Sequence, residues 1–447
     1  MADTAAVPPA SAPAADSGPA AGPGSGPGSG PAVRATFLSV FAVREFRVLF
    51  SGLLMYALGF EFEILGLSVL VYARTGSSVW AAAAFSAGFL PQAAGGALFT
   101  SLADRLPPRL VLVSGLLTRA LPGLAIGVLP GMPVPVMLVL VGLAALVMPV
   151  YQAGQSGLLP DVLDGDKYVL GRSVFTMTAS GAQILGLGAG GAVLTVLPAR
   201  WLLLAAGASL AAAAGIMRIG VRSRPARLAD GGGRAGGTRS GGRGIMRATI
   251  AGNAELLRSP RVRGLLLAQW VPAWFGTGAE ALIVPYALSL GHPASTAGAL
   301  LIALPCGMLL SDFAVARFCP PAVRGGLAFP LALLVGVPLL AFVFRPPLPV
   351  VAGALFLTGI GFAYPLGLQR AFLDSVPERL RGQGFGLNST GLMGGQGLLP
   401  SAFGGVAVVL GPGGAMAVAG GCVMAAALVL RWLTDCYRRL DAEPVRA

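Results

Sequence analysis

The chain of 447 residues is 55% hydrophobic and only 11% charged, with a mean hydropathy of +0.78. A soluble protein carries about 25% charged residues, so a deficit spread over the whole chain excludes that class and means a polytopic membrane protein. The net charge of +13 does not imply a nucleic-acid partner, because the arginines follow the topology set out below.

Residues 1–40 open on Ala, Pro, Gly and Ser, including Gly22-Pro23-Gly24-Ser25-Gly26-Pro27. Such a stretch buries no core and is expected to be a disordered cytoplasmic tail. It lacks the basic start and apolar run of a signal peptide, so the first span serves as its own uncleaved signal. A span needs about 20 apolar residues. Segments that meet this in the first half are 47–72, 79–101, 110–129, 134–154, 171–197 and 201–219. The second half offers 264–290, 295–318, 325–344, 348–370, 384–409 and 413–434. Twelve spans are expected, six in a bundle over 41–220 and six in a bundle over 263–435.

Between the bundles, 221–262 is predicted to be a basic cytoplasmic linker. The stretch Arg218–Arg263 is rich in arginine, holds only Asp230 and Glu255 as acids, and contains the glycine-rich run 230–237. Each arginine at the bilayer centre costs about 2.5–3.5 kcal/mol on the translocon scale, so this block stays outside hydrocarbon. Arg258–Arg263 is expected to end a helix lying on the anionic inner leaflet. A cytoplasmic tail over 436–447 closes the chain. With both termini inside, Arg74, Arg200 and Arg345 fall outside and Arg119 falls within a span. Every other Lys and Arg then lies on the cytoplasmic side or at its membrane edge, as the positive-inside rule asks. A multi-pass protein of the plasma membrane is the expectation, with a monomer as the default.

The two halves echo one another. Leu90-Pro91 with Pro107-Pro108 matches Leu304-Pro305 with Pro320-Pro321, and Gln155 with Gly190-Gly191 matches Gln369 with Gly404-Gly405. Both matches share an offset of about 214 residues, and Glu63 falls near Glu280 at 217. Parallel repeats of this kind suit a transporter that rocks about a central site.

The stretch Gly95-Gly96-Ala97-Leu98-Phe99-Thr100-Ser101-Leu102-Ala103-Asp104-Arg105 resembles the loop signature of the major facilitator superfamily. Tyr72–Ser77, Gly157–Val162, Arg258–Arg263 and Val376–Gly382 are similar to its drug- and siderophore-exporter branch. The resemblance covers roughly residues 40–435. It implies the major facilitator fold and a gate at Asp104, Arg105 and Arg109, with span 11 as the partner of Asp104. Asp312, with Arg317, is the second-half counterpart. Departures are visible. Thr100 stands where the signature has Gly, and Pro107 and Pro108 stand at its later Gly and Arg. The exporter motif of span 5 reads Gly186-Leu187-Gly188-Ala189-Gly190-Gly191 without its proline, and span 4 lacks an arginine.

Glu61 and Glu63 lie midway along span 1, where a carboxyl must be neutral, paired or facing a wet cavity. Two residues apart is about 200° of helical rotation, so one of them is expected to line a central cavity. Internal symmetry favours Glu63, and the family resemblance favours Glu61, since related chains place Asp at the position of Phe60. Arg119, about ten residues into span 3, is too deep to snorkel and is expected to pair with a span 1 carboxylate. The other span 1 acid, or Glu280 in span 7, would then take up protons. A fixed ion pair with no coupling role is the alternative. Trp270 and Glu280 are read as sharing a helix face, and an acid among aromatics suits amphipathic or cationic organic molecules. Gln183 and Gln396 offer hydrogen bonds to a ligand or to neighbouring helices. Gly186, Gly190 and Gly191 are read as a close-packing face.

No metal site is expected, since His292 is the single histidine and Cys306, Cys319, Cys422 and Cys436 form no CxxC pair. No phosphate-binding loop surrounds the single lysine, Lys167, so the chain is no ATP-driven pump. No nucleophile and base stand together, so an enzyme is not expected, and no cofactor is implied. The combined reading is a secondary active exporter of small organic compounds, coupled to protons as the driving ion. The alternatives are an importer of small organic solutes, or a transport-inactive sensor or partner-binding protein of the same fold.

Overall fold

The computed structural model describes residues 36–99, 102–164, 166–226 and 242–442. The tail over 1–35, the glycine-rich run 230–237, residues 443–447 and the side chains of Asp104 and Cys436 lie outside that description. Every element among the described residues is helical. In the first half these are α1 (Phe37–Phe41), α2 (Arg44–Thr75), α3 (Ser78–Ser86), α4 (Phe89–Phe99), α5 (Leu102–Arg105), α6 (Pro108–Val128), α7 (Val134–Leu146), α8 (Met148–Val162), α9 (Asp166–Val196) and α10 (Ala199–Gly220). The linker contributes α11 (Gly242–Arg258). The second half holds α12 (Pro260–Glu280), α13 (Ile283–Ser289), α14 (Ala294–Phe318), α15 (Pro321–Gly336), α16 (Leu348–Gly361), α17 (Tyr364–Ser375) and α18 (Arg381–Ala442). Short 3₁₀ stretches follow α15 and α17, at Val337–Phe344 and Glu378–Leu380.

Nine helices among the described residues are long and apolar enough to cross a membrane, against twelve expected spans. Two of the three missing spans, 79–101 and 264–290, are broken at prolines, whereas Val134–Val162 and Leu348–Ser375 stay long enough to cross despite a proline at their junctions. Proline lacks an N–H and clashes with the carbonyl four residues earlier. Pro91 strips the bond from Ala87, where α3 gives way to α4, and Pro149 acts on Ala145 at the α7–α8 junction. Pro285 acts on Ala281 between α12 and α13, and Pro365 acts on Gly361 between α16 and α17. The segments expected at 79–101 and 264–290 are therefore broken midway. α18 errs the other way: two helices run on across Gly411, whose φ of 73° and ψ of 163° are not helical. Glycine reaches that region without a Cβ penalty.

Two further expectations shift. The tail ends before residue 40, because Thr36 and Ser39 form a capping box for α1. Val40 is buried in a cluster with Phe46, Leu159 and Val174. At the linker's far end, Arg261 and Arg263 belong to the first turn of α12, whose Ser259 cap accepts from the Val262 N–H.

Glycines set the close packing within the first bundle. A Cβ on Gly59 or Gly66 would lie about as near as 3 Å to α10 atoms, and Gly123 and Gly207 bring α6 and α10 into backbone contact. Large apolar side chains such as Leu143, Leu185 and Val408 are left exposed, as suits a lipid-facing surface.

The bundles meet along two seams. A Cβ on Gly191 of α9 would lie 3.1 Å from the Gly298 Cα of α14, and one on Gly404 of α18 would lie 2.7 Å from the Val79 Cα of α3. Both seams sit toward the end of the molecule where α2 finishes. The opposite end, where α2 begins at Arg44, is fastened by the linker. There Glu45 accepts two bonds from Arg224, at 2.5 and 2.8 Å, and one from the Arg222 backbone N–H. Farther along the linker, α11 is tied to the start of α18 by Gln383 donating to Asn253 at 2.9 Å and by an Arg379–Glu255 ion pair.

Candidate functional site

A cavity of about 390 Å³ lies between the bundles. Its wall is drawn from both halves: Glu61 and Phe60 on α2, Gln183 on α9, Glu280 on α12, and Gln396 on α18 among others. Along the segments that carry a seam residue, the lining residues fall on the same side of the seams. Gln183 precedes Gly191, Leu304 and Met308 follow Gly298, Asn388 and Gln396 precede Gly404, and Phe85 and Phe89 follow Val79. The cavity therefore sits between the seams and the end where the linker attaches.

The 200° between Glu61 and Glu63 separates their surroundings. Glu61 lines the cavity, and Gly186 leaves room for its stem: a Cβ there would come 2.7 Å from the Glu61 Cβ. Gly190 packs against Leu65 and Phe62, one turn further along the same pair of helices. Glu63 points into the first bundle, where its carboxylate is 3.2 Å from the Arg119 guanidinium, each side chain 2% exposed. The guanidinium also lies 5.3 Å from the centre of the Phe60 ring, within cation–π range. Its Nε and Nη1 atoms have no hydrogen-bond partner among the described residues. A void of about 10 Å³ adjoins the pair, close to the volume one water needs.

On α12 the face toward the cavity carries Gln269, Ala273, Thr277 and Glu280, at spacings of 4, 4 and 3. Glu280 ends α12 just before the break imposed by Pro285. Trp270 is not among the lining residues. It stacks on Trp274 at 5.8 Å and donates to the backbone and side-chain oxygens of Asn388, fixing α12 to α18. Eleven residues bring a helix back to within about 20° of its start, and ten leave it about 80° short. Gln269 therefore shares the Glu280 face and Trp270 does not. A polar network joins the wall. Asn388 donates to Gln269 at 3.2 Å, Gln396 donates to Thr277 at 3.1 Å, and the Tyr364 hydroxyl donates to the Gln269 carbonyl. Gln269, Thr277 and Asn388 escaped the sequence reading. The signal was present in the helical spacing of polar residues through otherwise apolar spans.

Of the expected gating residues, Arg105, Arg109 and Asp312 are not among those lining the cavity. Arg105 is exposed and Arg109 half-buried. Asp312 is exposed on α14, and Arg317 sits over the Phe318 ring at 5.7 Å. Among the described residues no group of three His, Cys, Asp or Glu is placed to hold a metal.

Two all-helical bundles, seamed by glycine and enclosing a cavity of apolar side chains with a few polar groups, define the fold of the major facilitator transporters. A peptide transporter of the POT family, solved with sulfate, superposes with a TM-score of 0.68 at 13% identity, covering 91% of this chain and 97% of its own. The human organic anion transporter MFSD10 gives 0.59 at 16% identity, with coverages of 87% and 99%. A bacterial homologue of the human lysosomal transporter Spinster, in an inward-facing and unoccupied conformation, gives 0.61 at 16%, with coverages of 87% and 95%. At these identities the likeness establishes the fold. In sequence the chain matches no family model and no curated protein.

Proposed function

We propose that the protein is a proton-coupled secondary transporter that exports small organic compounds by alternating access. The observation that carries the reading is the pairing of Glu61 and Glu280, one from each half, on a single cavity between the bundles. A carboxyl open to such a cavity can hold a proton or a cationic group in turn, the minimum for antiport. Twelve crossings, with both termini cytoplasmic and a monomeric chain in the plasma membrane, complete the proposal. Its bundles start at α1 and at α12 and are joined by the basic linker. In this reading the seams at Gly191 and Gly404 close the outer side. Asp104, Arg105, Arg109 and Asp312 belong to an inner gate that closes when the seams part. Arg119 serves as the fixed counter-ion of Glu63.

The transporter neighbours support the fold such a mechanism needs, and one of them is described as inward-facing. The test uses inverted vesicles from cells producing the protein, acidified inside, with a panel of fluorescent amines, neutral dyes and anionic dyes. At least one class should accumulate, and an uncoupler should abolish the accumulation. Glu61→Gln or Glu280→Gln should do the same. Accumulation indifferent to the uncoupler removes proton coupling, and accumulation no greater than in vesicles lacking the protein removes transport.

A further inference from the structure

The cavity's lining residues include two acids and no Lys, Arg or His. The nearby base, Arg119, is turned into the first bundle and held by Glu63. Three of the four amides on the cavity wall, all but Gln183, are already engaged. Gln269 donates to the Leu265 carbonyl at 3.2 Å, Asn388 donates to Gln269, and Gln396 donates to Thr277. By contrast, no hydrogen bond reaches the carboxyl of Glu61 or Glu280 among the described residues. When ionised, the two carboxylates offer about four acceptor sites each, and the cavity then presents surplus negative charge and a surplus of acceptors. The rest of its wall includes the rings of Phe60, Phe85, Phe89 and Phe362.

We propose that the solute held between Glu61 and Glu280 is an organic cation bearing N–H donors, a protonated amine or guanidinium on an apolar body. This rests on reading the cavity as the substrate site and adds the chemistry of that site. An anion would add to the repulsion between the two acids. A quaternary ammonium would answer the charge and leave the acceptors unfilled. An N–H cation meets both demands through charge-assisted hydrogen bonds, while the phenylalanine rings take the apolar body. Bound between acids from opposite halves, it also draws the two bundles together.

The test is equilibrium binding to the purified full-length protein in nanodiscs, with three probes that share one body. They are 2-phenylethylammonium, its N,N,N-trimethyl derivative and 3-phenylpropionate. The ammonium should bind about tenfold more tightly than the trimethyl compound, the equivalent of one hydrogen bond to a charged group, and the carboxylate should not compete. Glu61→Gln and Glu280→Gln should each weaken the ammonium about tenfold or more, with thermal unfolding of each variant checked against the parent. Equal binding of the two cations, binding of the carboxylate, or binding of none of the three overturns the proposal. Flux of the same probes into proteoliposomes is read separately. An ammonium that binds and is not carried keeps the site chemistry and removes the transport reading. A carried carboxylate does the reverse.

Discussion

At residue scale, the Glu63–Arg119 pair is the most demanding feature of the first bundle. Both side chains are 2% exposed, and several of their polar atoms lack hydrogen bonds. Burying two charges costs several kcal/mol per ion, and only the partner offsets it. Arg119→Met or Glu63→Leu alone leaves one charge stranded and should lower stability by about 3–5 kcal/mol. The double substitution should recover most of that loss. Thermal unfolding of the purified protein in one detergent reads all three variants, and singles no worse than the double would show that the pair is not coupled. An arginine ten residues into an apolar span, together with acids one span away, made such a pairing legible in the sequence. Which acid takes it was not legible. The repeat, offset by about 214 residues, places Glu63 near the counterpart of Glu280, yet it is Glu61 that shares a cavity with Glu280. A repeat offset fixes the depth of a residue along its helix. The face is fixed by the neighbours, here Gly186 on one side and Arg119 on the other.

At the scale of elements, the spans could be placed from apolar runs, and their interruptions could not be placed from length alone. The four breaks, at 87–88, Val147, 281–282 and 362–363, each lie two to four residues before a proline. That rule could have been applied to the sequence, but other prolines, such as Pro122 and Pro305, sit inside unbroken helices. Neighbouring helices decide whether the freed carbonyl opens the chain. The glycine face of α9 was legible as a packing face, and its partner α14 was not, because contact between distant spans leaves no periodic trace. That contact makes a prediction. Gly191→Leu puts a branched side chain where Gly298 already approaches within van der Waals distance. Overpacking of this kind costs about 1–3 kcal/mol, and the cost falls on the conformation with the seam closed. Spin labels placed at the ends of α9 and α14 beside the seam should report a longer distance in this variant. An unchanged distance distribution would mean that α9 absorbs the leucine without moving α14.

For the whole molecule, the order of residues along four helices sets the sidedness of the cavity. On α3–α4, α9, α14 and α18 the seam residues lie toward one end, and the lining residues follow toward the end where Glu45 holds Arg224. If the arginine-rich end is cytoplasmic, as we propose from the charge distribution, the cavity of this conformation is reached from the cytoplasm. A single cysteine at Asn388, introduced after the native cysteines are replaced by alanine or serine, reports this directly. A membrane-impermeant maleimide should label it in inverted vesicles and leave it largely unlabelled in right-side-out vesicles. Adding Gly191→Leu should raise labelling from the outer side, because opening the seam exposes the same wall to the other compartment. A population shift of about 1.4 kcal/mol alters the ratio of the two conformations tenfold, well within the reach of labelling rates. Labelling from the outer side alone in the cysteine-substituted parent would invert the topology and place the linker outside. Equal labelling from both sides, unaffected by Gly191→Leu, would mean that the glycine seam does not control access.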